Sequence, residues 1–176
     1  QDTFQAGRTA AGLMGEMTGG NGQVAIISGQ VANPGLISRQ KGFTTEIKES
    51  FPGIEVVDIR YSYDDEWVAS KIVEELLELY PDLTGIYITG HGVKGVCQTL
   101  QKLGKDKTMH VIANDFLEEN LKWLKEGTIN FLIGQDAAVQ GHSPVTILFQ
   151  LLFDSKKPEK EFQYTDIVIR TRYNMG

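Results

Sequence analysis

Apolar positions in this chain follow two alternating rhythms, short continuous runs of strand length and longer stretches striped at three- and four-residue spacing. That succession predicts strand-helix-strand units around a parallel sheet. Gln23–Ser28 reads as a strand, and Asn33-Pro34-Gly35 as a loop before a helix over Ser38–Ser50 that Pro52-Gly53 ends. Ile54–Ile59 is a second strand, with a helix from Asp64 to Tyr80 whose positive end Asp64 and Asp65 are placed to cap. Gly85–Thr89, His110–Ala113 and Ile129–Ile133 are the third, fourth and fifth strands, and Val93–Leu103 and Leu117–Lys125 the helices between them. Val139–Phe153 is a long helix bearing Val145, Leu148, Leu151 and Leu152. After it come a solvated connector, Lys156–Lys160, and a last strand, Tyr164–Ile169. Gln5–Met17, striped with Ala6, Ala10, Ala11, Met14 and Met17, predicts a helix that covers a sheet, although the first strand comes only after Gly19–Gly22. The expected fold is therefore α/β, a parallel sheet in a three-layer sandwich.

In an open parallel sheet, ligands bind beyond the carboxyl ends of the strands. Two apolar runs stop abruptly at residues suited to that role, Met109–Asp115 at Asn114-Asp115 and Ile129–Asp136 at Gln135-Asp136. Arg39 beyond the first strand, Asp64 beyond the second and His91 beyond the third fall on the same edge. Arg brings a fork of donors, Asp accepts from paired hydroxyls and Gln does both, the mix a polyhydroxy ligand requires. Taken singly, each of these residues also suits a solvated surface or a helix cap.

Composition narrows the partners. The 176 residues carry 17 Lys and Arg against 23 Asp and Glu, a net charge of -6, and 41% of them are hydrophobic. A chain of this size buries a real core. An acidic balance opposes phosphate-backbone binding, which depends on Lys and Arg. No apolar stretch is long enough to span a bilayer, and no signal-peptide pattern opens the chain, so no membrane partner is expected. Cys97, the single cysteine, has no partner for an internal disulfide and suits a buried small hydrophobe.

The chemical motifs argue against catalysis. Gly90-His91-Gly92-Val93-Lys94-Gly95 is a literal G-x-G-x-x-G between a strand and a helix, with Asp115 at the next strand end, so it imitates a dinucleotide fingerprint. It stands third in the series of units, where a plain glycine turn serves as well. Gly29–Gly35 lacks P-loop spacing, and no Gly-x-Ser-x-Gly elbow surrounds Ser28, Ser38, Ser62, Ser70 or Ser143. His91, His110 and His142 share no metal-ligand spacing. No cofactor, no metal and no enzyme activity is expected.

In these residues the sequence resembles the type I periplasmic-binding-protein module, and more narrowly the effector domain of LacI/GalR transcription regulators. Arg39-Gln40-Lys41-Gly42-Phe43 is similar to that family's Arg-x-x-Gly-Phe. Asn114-Asp115 stands at its Gly-(Phe/Tyr)-Asp, and Ile133–Asp136 with Gln140-Gly141 at its Ile-x-Gln and Gln-x-Gly. The ending Thr171-Arg172-Tyr173-Asn174 resembles the regulators' Thr-Arg-x-Asn tail, and Asp2–Arg8 resembles the start of the last helix of their N-terminal lobe. The resemblance implies ligand-facing positions at Asp2, Arg39, Asp64, Asp115 and Gln135, with His91 standing where relatives carry Asn. It also departs from the family, since Asp64 replaces the usual stacking aromatic and leaves Tyr63, Trp67 or Phe116 as substitutes.

By the same resemblance, residues 1–22 end the N-terminal lobe and 23–135 form the C-terminal lobe. Residues 136–160 then return to the N-terminal lobe, and 161–176 form a strand and tail near the hinge. The opening strands of the first lobe and a DNA-binding headpiece are expected to be absent from this chain. The leading expectation is a cytoplasmic, homodimeric regulator in which a sugar-like effector closes two lobes and DNA is held only through the absent headpiece. The alternative is a periplasmic or extracellular sugar-binding protein of an ABC transporter. A nucleotide-dependent enzyme built on Gly90–Gly95 is the remote one.

Overall fold

The first helix, α1 (Thr3–Thr18), starts where the Asp2 carboxylate accepts from the backbone N–H groups of Phe4 and Gln5, and stops at Gly19, whose φ of 63° suits glycine. The computed structural model describes residues 1–175. β1 (Asn21–Ser28) leads to α2 (Pro34–Ser50), which begins four residues earlier than expected. Asn33 accepts from the N–H groups of Gly35 and Leu36, and Pro34 occupies the first turn, so the segment expected as a loop is the helix cap itself. β2 (Gly53–Tyr61) precedes α3 (Glu66–Leu79), whose cap is Asp65 rather than Asp64; Asp64 stands before the helix at a φ of 63°. Then come β3 (Leu83–Ile88), α4 (Val93–Lys102), β4 (His110–Asn114), α5 (Glu118–Glu126), β5 (Phe131–Gln135), α6 (Ala137–Phe153) and β6 (Ile167–Arg170).

The strands form one sheet in the order β2-β1-β3-β4-β5-β6. The pairs from β2 through β5 are parallel, as expected, but β6 runs antiparallel to β5, pairing Leu132 with Arg170 through Gln135 with Ile167. The expected all-parallel sheet is thus mixed at one edge, a common ending for α/β sheets. Ala69, Val73, Leu76, Val96, Leu100 and Leu124 from α3, α4 and α5 cover one face over Ile27, Ile88 and Val111. On the other face, Ala6, Ala10, Ala11 and Met14 of α1 and Phe43 and Ile47 of α2 pack on Val24, Ile26, Tyr87 and Ile112.

That packing shows how the first and last helices sit relative to the sheet. Residues 1–22, expected to close a separate lobe, supply the buried stripe of α1 to the core shared with β1, β3 and β4. Small alanines let α1 lie close to the sheet and bury it as firmly as any other helix. α6, in the segment 136–160, behaves differently: among its residues none is buried. Gly176, the last residue of the expected tail, lies outside the described residues.

Candidate functional site

The carboxyl ends of β1 to β5 share one edge, and the helices after β1 and β3 leave on opposite faces, which opens a crevice between those two strands. A cleft of about 290 Å³ lies there. Arg39, Asp64, His91, Asp115 and Gln135 line it, together with Thr3, Asn33, Gly35, Leu36 and Gly90. A larger hollow, about 570 Å³, lies between α6 and residues 156–164, away from the strand ends and their convergent polar groups.

Arg39 is the centre of the cleft. Its side chain is 5% exposed, and its Nη1 donates to the Thr89 carbonyl at 2.7 Å. Nη2 stands 3.8 Å from Asp115 Oδ1 and 3.5 Å from Gln1 Oε1, while Nε is buried without a partner. Buried polar groups are almost always paired, so this orphan donor leaves hydrogen-bonding capacity unspent beside the crevice. Gln135 Nε2 donates to Asp115 Oδ1 at 3.2 Å, and Gln135 Oε1 accepts from Gln140 Nε2 at 2.8 Å.

Two aspartates at this edge, Asp64 and Asp115, adopt positive φ, 63° and 69°, a conformation that costs energy outside glycine and gathers at functional sites. Asp64 Oδ2 accepts from Gln30 Nε2 at 3.0 Å, and its other oxygen lies where Gly29 lacks a Cβ. Arg39, Asp64, His91, Asp115 and Gln135 thus come together. Asp2 does not join them, because its Oδ1 is committed to the N–H groups of α1's first turn.

None of the three aromatic residues expected to stack on a ligand lines the cleft. Phe116 packs beneath Gly134, with the Arg170 guanidinium 4.5 Å above its ring. Trp67 and Tyr63 are exposed, Trp67 over the groove between α3 and α4. The apolar wall is Leu36 instead, whose methyls meet the space beside Gly29 and Gly90. Sequence reasoning missed Leu36, Gln1 and Thr89. Leu36 comes directly after the cap signal Asn33-Pro34-Gly35, which could have placed it at the helix mouth, whereas Thr89 acts through a main-chain carbonyl that no residue pattern marks.

The fingerprint-like Gly90–Gly95 has a structural use. Glu66 Oε2 accepts from the Gly95 N–H at 2.6 Å, so a carboxylate already sits at the positive end of α4 where a pyrophosphate would have to bind. Among the described residues, no three His, Cys, Asp or Glu side chains gather as a metal ion needs.

Comparison with known proteins places the fold. The D-allose-binding periplasmic protein of Escherichia coli (strain K12) is 24% identical over 97% of this chain and 57% of its own length. The sugar-binding protein of a sugar ABC transporter from Bacillus halodurans superposes with a TM-score of 0.91 at 27% identity, covering 99% of this chain and 63% of that one. An ABC transporter solute-binding protein from Burkholderia graminis C4D1M, solved in complex with D-arabinose, gives 0.88 at 29% identity, covering 99% and 61%. The chain therefore spans about six-tenths of the length of these relatives. Residues 1–157 match the family described as the periplasmic binding protein domain, and with most of its length in that match the chain belongs to this family.

Proposed function

We propose that this chain forms one jaw of a sugar-binding protein that delivers its ligand to an ABC-type transporter. The observation that carries the reading is Arg39, a buried cation with an unpartnered Nε at the β1/β3 crevice, flanked by the acceptors of Asp64 and Asp115 and the amide of Gln135. A monosaccharide matches that set, because its hydroxyls both donate and accept and its ring C–H faces can rest on Leu36. The names of the relatives support the same class of ligand.

The regulator expectation yields to its alternative. The Thr-Arg-x-Asn tail that favoured it forms a local turn: Asn174 Oδ1 accepts from the Thr171 N–H at 2.6 Å, and Asn174 Nδ2 donates to the Ile169 carbonyl at 3.1 Å. A turn that closes β6 serves any protein with this sheet edge, transporter partner or regulator. Two of the relatives are named as ABC transporter binding proteins and the third as a periplasmic sugar-binding protein. On this reading the DNA partner, the homodimer and the cytoplasmic location have no support, and the site works in the periplasm or outside the cell. α6, with its unburied apolar stripe, belongs to the opposing jaw.

The test is calorimetric titration of the protein carrying this chain with D-allose, D-arabinose and other pentoses and hexoses, and with NAD as a control. Saturable binding of a monosaccharide is expected. Arg39→Ala should weaken it by about 2 kcal/mol or more, the cost of removing a charged hydrogen-bonding partner. Tight binding of NAD with indifference to every sugar would overturn the reading.

A further inference from the structure

Three hydroxyl side chains at the ends of β1, β2 and β3 are completely buried, Ser28, Ser62 and Thr89. They are joined to one another. Thr89 Oγ1 donates to Ser28 Oγ at 2.8 Å, and Ser62 Oγ reaches the Ser28 carbonyl at 3.2 Å and the His91 carbonyl at 3.4 Å. The residue pairing between β1 and β3 ends at Ile27 and Ile88; the Thr89 N–H still donates to the Ile27 carbonyl at 3.0 Å, and the Ser28 and Thr89 hydroxyls add a side-chain bond at the next pair of positions.

Thr89 leads directly into Gly90 and His91, which line the cleft, and Gly92 follows, so glycine stands on either side of the histidine. Glycines leave a segment conformationally free unless something outside it holds it. The main chain holds Thr89 by its N–H, and the hydroxyls add a bond from Thr89 to Ser28 and one from Ser62 to the His91 carbonyl. The Thr89 carbonyl is also the only main-chain oxygen among the described residues on which the Arg39 guanidinium rests.

We infer that Ser28, Ser62 and Thr89 are positioning residues of the ligand site, a buried strap of hydroxyls that fixes the Gly90-His91 wall and, through the Thr89 carbonyl, the direction of the Arg39 guanidinium. Simple packing would be served better by Val and Ala at these places, since buried hydroxyls gain little over apolar groups of the same shape. The strap rests on the sugar-binding reading for its purpose but not for its geometry.

The experiment compares Thr89→Val, Thr89→Ser and the double variant Ser28→Ala/Thr89→Val in the protein carrying this chain. Two readouts are taken, the solvent exchange of the Arg39 Nε–H by NMR without ligand, and the affinity for whichever of D-allose, D-arabinose and the related sugars the parent binds. Thr89→Val should lower affinity about tenfold and speed the exchange, and Thr89→Ser should restore both. The double variant removes both hydroxyls and so recovers thermal stability, yet affinity and exchange should stay impaired. If the double variant recovers affinity and slow exchange along with stability, the hydroxyls serve packing alone and the inference falls. A parent that binds none of these sugars overturns the functional reading, while the exchange readout still decides the strap.

Discussion

Tyr87 heads the fully buried side chains by volume, its ring stacked on Phe43 at 4.8 Å between centroids and its hydroxyl accepting from Asn114 Nδ2 at 3.1 Å. Burial pushes its phenol up to about 12, partly offset by the Asn114 hydrogen bond. A phenol whose folded pKa exceeds its unfolded value of about 10 is stabilising below that value, and the contribution drains away as pH rises through the folded one. Denaturant unfolding from about pH 9 to about pH 12 should therefore show a loss of stability of up to roughly 3 kcal/mol that Tyr87→Phe removes. An unchanged alkaline slope in Tyr87→Phe would place the titration elsewhere. The same scale shows how much of the site could be read in advance. Asp115 and Gln135 could be expected at the cleft because apolar runs stop at them, and Arg39, which lies inside α2, because it follows the first strand in the pattern Arg39-Gln40-Lys41-Gly42-Phe43. Asp64 was legible as a residue of this edge but not as a non-helical one, since a pair of aspartates before a helix gives no sign of which caps. Gln1 carries no pattern at all.

Between elements, the decisive contact is the crossing of α1 and α2. A Cβ on Gly7 would strike the Arg39 carbonyl, and one on Gly42 would strike the Phe4 carbonyl, so each helix presents a glycine to the other's backbone. This close approach fixes the height of α2 over the sheet and hence the depth at which Arg39 enters the crevice. Gly42→Ala should cost about 1–3 kcal/mol by overpacking and should weaken ligand binding at the same time, because α2 carries the guanidinium with it. Thermal melting and titration of the same sample separate the two effects; full stability with intact affinity would mean the helices can separate without moving Arg39. The strands were readable in the sequence because each is an apolar run of the right length between turn signals. The position of α1 was not, since an alanine stripe says that a helix covers a sheet without saying which one. The antiparallel course of β6 was hidden as well, because a four-residue edge strand reads the same in either direction.

Across the whole molecule the apolar residues divide into two populations that composition alone does not distinguish. Leu124 on α5 is fully buried in the core beside β4 and β5, whereas Leu152 on α6 is 67% exposed, although both stand on striped helices. Hydrophobic stabilisation follows area removed from water, so only the first kind holds this sheet together. In this 176-residue chain, Leu124→Ala should cost about 2–5 kcal/mol, the range for emptying a packed site. Leu152→Lys should change stability by no more than about 0.5 kcal/mol, as substitutions on an exposed surface do. Urea unfolding of the two variants measures both. Equal losses would mean that α6 docks on the sheet and shares its core. The expected asymmetry would show instead that its stripe, Val145, Leu148, Phe149 and Leu152, adds nothing to the core of this sheet.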